Sequence, residues 1–336
     1  MSAPRVVGLT GSSGVATARA WLGAIARAAG ARVTTVSREG AIAPDARISA
    51  GPIERAIAAI GAAAAADVVI VEVTAAELSR GAARGLRPSV AVVTRFDDER
   101  AADGQSAEAH LAALAQIALA VPAGGAVVVG EDGGVADLIA EIAPAGAEVR
   151  RFGLAGELDA PPGPGLFVER SAWDGARWRT EVALAPGAPP TLGPTLSVHG
   201  WGEADVLGAL AAASAALALG WGADAVARGL AAPATARRVI AASPLVVVDE
   251  ARTTSERERL ARDLAARGAA QVRWVDAAVP LAARAAAIAR AVALAGPGDA
   301  VAIAGYGDAR TLEDGPRTVA WSDAREARRA LAAEAP

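Results

Sequence analysis

Short runs of β-branched and other apolar residues recur along the first half of the chain, and segments with helical spacing lie between them. The clearest runs are 68–73 (VVIVEV), 89–94 (SVAVVT) and 127–129 (VVV). Runs without polar alternation are typical of strands that are covered on both faces. Alternation of such strands with helices predicts an α/β fold whose sheet is P-loop-like, doubly wound and mostly parallel.

The pattern changes twice farther along the chain. Seven prolines interrupt short alternating segments between about residues 151 and 198, which predicts β-hairpins added to the edge of the first sheet. A long Ala- and Leu-rich helix is predicted at 204–219, and a fresh α/β pattern begins at 244–249 (PLVVVD). We therefore expect two domains, residues 1–240 and residues 241–336, of which the second is a smaller Rossmann-like α/β domain.

Composition restricts the chemistry that the chain can perform. All 33 positively charged side chains are Arg, and the chain contains neither Lys nor Cys. A lysine Schiff base, a carbamylated lysine, a P-loop lysine, a disulfide and a Cys-ligated metal site are thereby excluded. The replacement of Lys by Arg, with abundant Ala, Gly and Pro, is typical of a GC-rich genome.

Charge and hydropathy indicate where the protein works and what it does not bind. A net charge of −4 argues against sequence-independent binding of nucleic acid, which needs a basic face. The N-terminus has no secretory pattern, and no apolar stretch reaches membrane-spanning length before a charge interrupts it. We expect a cytoplasmic protein with no membrane span and no nucleic-acid partner.

A glycine-rich segment, 8–17 (GLTGSSGVAT), lies between the first predicted strand and the first predicted helix. In α/β folds the backbone N–H groups and the helix N-terminus at this place bind phosphate. A working P-loop continues with Lys and then Ser or Thr, but here those positions are Val15 and Ala16. The alternative is a tight turn capped by a serine of the loop. The candidate cofactor-binding residues of this segment are Thr10, Gly11, Ser12, Ser13, Gly14 and Thr17.

The glycine-rich segment resembles the Gly-x-Thr-Gly-x-x-Gly-Lys-Thr loop of the Mur ligases, which are ATP-dependent enzymes that join an amino acid to a carboxylate. The resemblance is strongest to the central and C-terminal domains of the branch that adds the third residue of the peptidoglycan peptide, and we expect that branch's N-terminal UDP-sugar domain to be absent. Further segments resemble the family in chain order: 71–74 (VEVT), 90–96 (VAVVTRF), 197–219, 248–253 (VDEART), 295–307 (AGPGDAVAIAGYG) and 321–326 (WSDARE).

The resemblance implies a position for each part of a ligase site. Glu72 matches a magnesium ligand, and Asp205 stands where the family contacts adenine. Arg237 falls at the domain junction, where it would bind an anion or form a linker salt bridge. Asp249 belongs to a motif of the second domain. ATP and Mg²⁺ are therefore the cofactors that an active member would use.

The positions where the family has lysine argue against that activity. They are Val15, Leu114 and Tyr306 here, although genome composition alone would have left Arg. Lys and Arg are not interchangeable at a phosphate. We assign no catalytic residue, and the preferred hypothesis is a pseudoligase that binds a protein partner, such as an active ligase or another biosynthetic enzyme, as a homo- or hetero-oligomer.

Two other hypotheses stay open at the level of sequence. The chain is either an active ATP-dependent carboxylate–amine ligase that acts on a small substrate, or a regulator that binds a nucleotide without hydrolysing it. Arginines from elsewhere in the fold would favour the first of these if they replaced the missing lysines. His110 lies among Ala and Leu on a predicted helix, and we interpret it as a structural or surface side chain rather than a base.

Overall fold

A computed structural model gives the fold of two compact units, Met1–Ala234 and Thr235–Pro336, which we call the N-terminal and the C-terminal unit. The residues that the structure describes are 3–37, 40–42, 47–49, 66–81, 84–96, 106–131, 134–155, 165–174, 179–200, 202–232, 238–249, 251–307, 311–314 and 317–334. In this part of the chain no helix combines the length and the apolar character needed to cross a membrane.

The N-terminal unit is built on one sheet with the strand order β11-β10-β9-β8-β7-β6-β1-β5-β2-β3-β4. The strands from β2 through β9 in this order pair in parallel, and the strands at both edges pair antiparallel. The strands are β1 (Arg5–Thr10), β2 (Val33–Ser37), β3 (Gly40–Ile42), β4 (Arg47–Ser49), β5 (Val68–Glu72), β6 (Val90–Val93), β7 (Ala126–Gly130), β8 (Glu148–Leu154), β9 (Gly165–Asp174), β10 (Arg179–Leu184) and β11 (Thr195–Val198).

Helices cover both faces of this sheet, as the apolar strand runs predict. One apolar core joins the sheet to α1, α5 and α6, and a second joins the opposite face to α2, α3 and α4. The mostly parallel, doubly wound α/β fold is thereby confirmed. The helices are α1 (Val15–Ala28), α2 (Ala75–Ser79), α3 (Ala107–Leu119), α4 (Val135–Ile142), α5 (Glu203–Ala218) and α6 (Ala223–Leu230).

The hairpin region is partly different from the sequence prediction. β9, β10 and β11 form the expected antiparallel edge, but β8 and β9 continue the parallel sheet. Gly165 pairs with Arg151 in this ladder, and a Cβ at Gly165 would lie 2.4 Å from the Arg151 carbonyl oxygen. The glycine therefore allows a close backbone approach that the sequence pattern does not reveal.

The C-terminal unit is a smaller α/β domain. Its main sheet has the order β12-β13-β15-β14, in which β13, β15 and β14 are parallel and β12 is antiparallel. The apolar core lies between this sheet and α8 and α9. The elements are β12 (Arg238–Ala242), β13 (Leu245–Asp249), α7 (Thr254–Ala265), β14 (Val272–Val275), α8 (Leu281–Ala293), β15 (Ala300–Ala304), a β16–β17 ribbon (Thr311–Asp314 and Arg317–Ala320) and α9 (Asp323–Glu334).

Candidate functional site

The glycine loop, which we define as Gly11–Gly14, connects the end of β1 to the start of α1. Gly14 is the N-cap of α1 with a φ of 75°, and no side chain caps the helix. The first helical hydrogen bond is donated by the Ala18 N–H to the Gly14 carbonyl oxygen at 2.9 Å. The preceding N–H groups of α1 therefore have no acceptor in the preceding turn, and a helix end of this kind attracts an anion.

The end of β6 holds the glycine loop in place. The Thr94 hydroxyl donates to the Ser13 carbonyl oxygen at 2.6 Å. The Ser12 N–H donates to the Arg95 carbonyl oxygen at 2.8 Å. Gly11 has a φ of 151°, and a Cβ there would lie 2.1 Å from the Thr94 hydroxyl oxygen. The loop conformation therefore depends on a glycine packed against the residues that follow β6.

His110 on α3 makes a second contact with the loop. Its Nε2 lies 2.9 Å from the Ser12 hydroxyl oxygen. The ring is 4% exposed, and its centroid lies 5.7 Å from that of Phe96. His110 thus positions Ser12, and the sequence interpretation of a structural histidine did not include this contact, because 98 residues separate the two.

Five of the candidate cofactor-binding residues are buried: Thr10, Ser12, Thr17, Asp205 and, in the C-terminal unit, Asp249. Thr10 and Thr17 are both buried, and Thr17 packs against Gly208 of α5. Asp205, in the first turn of α5, is 1% exposed and lies against Gly200. The structure thus brings Ser12, Ser13 and the two loop glycines together at the helix start, whereas Asp205 is enclosed at the start of the neighbouring helix.

Two arginines lie close to the glycine loop, and each is paired with a carboxylate. Arg19 Nε lies 3.0 Å from Glu72 Oε2. Arg95, which also bonds to the loop through its backbone, has a guanidinium nitrogen 4.0 Å from Glu203 Oε1. Sequence reasoning did not identify Arg19, and the only signal was its place on α1, one turn beyond the loop. Positive charge is therefore present near the loop, but it is balanced locally.

The positions that the resemblance assigns to lysine have no charge in the structure. Val15, in the first turn of α1, is 9% exposed. Leu114 is fully buried in the apolar core between α3 and the sheet. Tyr306, after β15, is flanked by two guanidinium groups. The Arg252 Cζ lies 5.5 Å and the Arg284 Cζ lies 4.5 Å from the centroid of the Tyr306 ring.

In the C-terminal unit Asp249 shapes the end of β13. Its carboxylate accepts a hydrogen bond from the Ala251 N–H at 2.8 Å. Its carbonyl oxygen accepts from the N–H groups of Gly305 at 2.9 Å and Gly307 at 3.1 Å. The contacts of Asp249 thus join two neighbouring strand ends. Arg237, the remaining candidate, lies outside the described residues.

The surroundings of His199, which lies just before α5, shift its pKa. Partial burial lowers the pKa of His199, the Arg179 guanidinium lowers it further, and Asp205 opposes both effects. His199 is thereby kept neutral to lower pH than an ordinary histidine.

Within the described ranges, no group of three or more His, Asp or Glu side chains is placed to hold a metal ion.

Comparison with known proteins identifies the fold. Residues 9–163 match the Mur ligase middle domain. No curated protein matches the sequence. A solved UDP-N-acetylmuramoyl-L-alanyl-D-glutamate–2,6-diaminopimelate ligase superposes with a TM-score of 0.66 at 17% identity, over 99% of this chain and 79% of that one.

Two further structures give the same result. FPGS (folylpolyglutamate synthase) from L. casei has a TM-score of 0.62 at 18% identity, over 90% of this chain and 87% of that one. MurF from Acinetobacter baumannii has a TM-score of 0.63 at 17% identity, over 90% and 68%. At these identities the structural similarity establishes the fold alone.

Proposed function

We propose that this chain, which has a Mur-ligase-like fold, is a pseudoligase that does not transfer phosphate from ATP and acts by binding a protein partner. The fold suggests an ATP-dependent amide ligase family. One structure of that fold is described as an FPGS–AMPPCP complex, so the fold can hold a nucleotide analogue. The question is whether the residues present here fit ATP and Mg²⁺.

The residues fit only the backbone half of a triphosphate site. The uncapped start of α1 and the two loop glycines suit a phosphate. The cationic half does not fit, because Val15 provides no charge and Leu114 is sealed in the apolar core. The burial of Leu114 is the observation that carries the proposal, since a charged group there would be expelled from the core rather than presented to a ligand.

The energetic consequence is large. Phosphoryl transfer depends almost entirely on positioning and on charge stabilisation. A single preorganised donor is worth about 3 kcal/mol, so two missing groups correspond to at most about 6 kcal/mol, or on the order of 10⁴-fold in rate. A protein of this fold that lacks these two charged groups can still bind another protein. A protein partner is therefore part of the proposal.

Calorimetry with ATP and Mg²⁺, followed by an ADP-release assay with each amino acid, tests the catalytic half of the proposal. We expect no ADP release above the blank, with a complete Mur ligase as the positive control. Sustained release would contradict the proposal. Sedimentation velocity of the chain mixed with ligases of the same cell tests the partner half, which fails if no mixture forms a complex.

A second candidate function is an active carboxylate–amine ligase with an unusual nucleotide site. The observation that favours it is Arg95, whose backbone bonds to the glycine loop and whose side chain lies near the start of α5. If this candidate is right, Arg95→Ala abolishes ADP release, whereas Arg27→Ala, at the exposed end of α1, leaves it unchanged. Equal release from both variants would exclude a role for Arg95.

A further inference from the structure

The ion pair between Arg19 and Glu72 lies at the point where a ligase of this fold would hold its metal. Glu72 is the last residue of β5 and pairs with Leu9 of β1, two residues before the glycine loop. Arg19 reaches it from α1 with Nε 3.0 Å from Oε2, in an ion pair that lacks the geometry of a hydrogen bond. The side chains are only 22% and 18% exposed. A positively charged group is therefore already in contact with the one carboxylate that the resemblance assigns to magnesium.

The surroundings of Glu72 do not fit Mg²⁺. This ion requires near-octahedral oxygen coordination and is repelled by a neighbouring guanidinium. The nearest hydroxyl along the chain, that of Thr74, donates to Glu77 Oε2 at 2.7 Å as part of the capping box of α2. The next two residues, Ala75 and Ala76, offer no side-chain oxygen.

We infer that the Arg19 guanidinium is the resident cation at Glu72 and replaces the divalent metal there. The pair joins α1 to β5 and fixes the helix whose N-terminus carries the glycine loop. A phosphate-bearing anion that this loop accepts is accordingly bound without a metal on Glu72. The inference deepens the proposed function and rests on it, because a metal-free Glu72 belongs to a site that does not transfer phosphate.

Manganese binding tests the inference on the full chain and requires no enzymatic activity. Mn²⁺ is titrated into the wild type and Glu72→Gln, and free ion is followed by electron paramagnetic resonance. Glu131→Gln, whose carboxylate is bonded to Arg151, is the matched control. We expect the three titrations to coincide. A saturable wild-type site that Glu72→Gln removes and Glu131→Gln retains would overturn the inference.

A double-mutant cycle tests the ion pair itself. We expect Arg19→Gln and Glu72→Gln each to lower the Tm, and the double variant to recover about 1–3 °C relative to the sum of the two losses. Strictly additive losses of Tm would overturn the pairing of Arg19 with Glu72. If either single variant does not fold, the manganese titration of the wild type still tests the inference. If the chain turns over ATP although the manganese titration detects no site at Glu72, the proposed function is contradicted. The inference that Arg19 replaces the metal at Glu72 would then still hold.

Discussion

Gly11 and Gly14 both have positive φ angles, but the space around them differs. A Cβ at Gly11 would lie 2.1 Å from the Thr94 hydroxyl oxygen and 3.1 Å from the Arg95 nitrogen. A Cβ at Gly14 would meet no atom within 4 Å. The sequence shows two similar loop glycines, whereas the structure shows that only the first is enclosed by another segment.

We therefore predict that Gly11→Ala lowers the free energy of unfolding by about 2–3 kcal/mol, because strain and a steric clash add. Gly14→Ala is the matched control, and it should cost about 1 kcal/mol, which is the left-handed backbone penalty alone. Urea unfolding of the two variants measures both values. Equal losses would show that the close contact with Thr94 does not constrain the loop.

Other residues near the loop show which features of the site a local sequence pattern can predict. The glycine spacing predicts the loop and its place before a helix, since only glycine tolerates these backbone angles. The partners of the loop come from distant segments, such as His110 for Ser12 and Thr94 for Ser13. No local pattern specifies these contacts, because each depends on which strand lies beside β1.

At the scale of elements, the packing of α5 and α6 on α1 depends on small residues. A Cβ at Gly229 of α6 would lie 2.5 Å from the Ile25 Cα, and one at Gly208 of α5 would lie 2.6 Å from the Thr17 Cγ2. The helices therefore approach α1 more closely than larger side chains allow. Because α1 carries the glycine loop at its N-terminus, this packing also fixes the orientation of α1 at the candidate site.

We predict that Gly229→Ala destabilises the chain by about 2–3 kcal/mol, because the added methyl meets backbone atoms that cannot rotate away. Gly23→Ala, inside α1, is the control. The atoms nearest to its Cβ would belong to the flexible Arg27 guanidinium, at 3.5 Å or more, so helix propensity should stabilise the chain by up to about 1 kcal/mol. Chemical unfolding followed by circular dichroism distinguishes the two, and a stabilising Gly229→Ala would refute the close packing.

At the scale of the whole molecule, each unit has an apolar core of its own. The C-terminal unit also contains a buried ion pair, in which two Arg284 nitrogens each donate to Asp323 at 2.7 Å. Arg284 further donates to the carbonyl oxygens of Asp276 and Ala304, and the Trp321 indole N–H donates to Asp323. The network connects α8, α9 and the end of β15.

We predict that Asp323→Asn lowers the free energy of unfolding by about 3–5 kcal/mol, because it leaves a buried guanidinium without its counter-charge. Arg290→Gln on α8, the helix that also carries Arg284, is at an exposed position and should change it by less than about 0.5 kcal/mol. Denaturation followed by tryptophan fluorescence compares the two variants. An unfolding free energy within experimental error of the wild type for Asp323→Asn would show that the pair is dispensable.

The sequence alone determined the fold class, because apolar β-branched runs separated by helical segments have few stable arrangements other than a sheet covered on both faces. It also located the glycine loop and the loss of lysine at Val15 and Leu114. Only the tertiary structure decided that Leu114 is enclosed in the core and that Arg19 reaches Glu72. These are properties of residues far apart in the chain, and burial and charge pairing between such residues exist only after the strands and helices have packed.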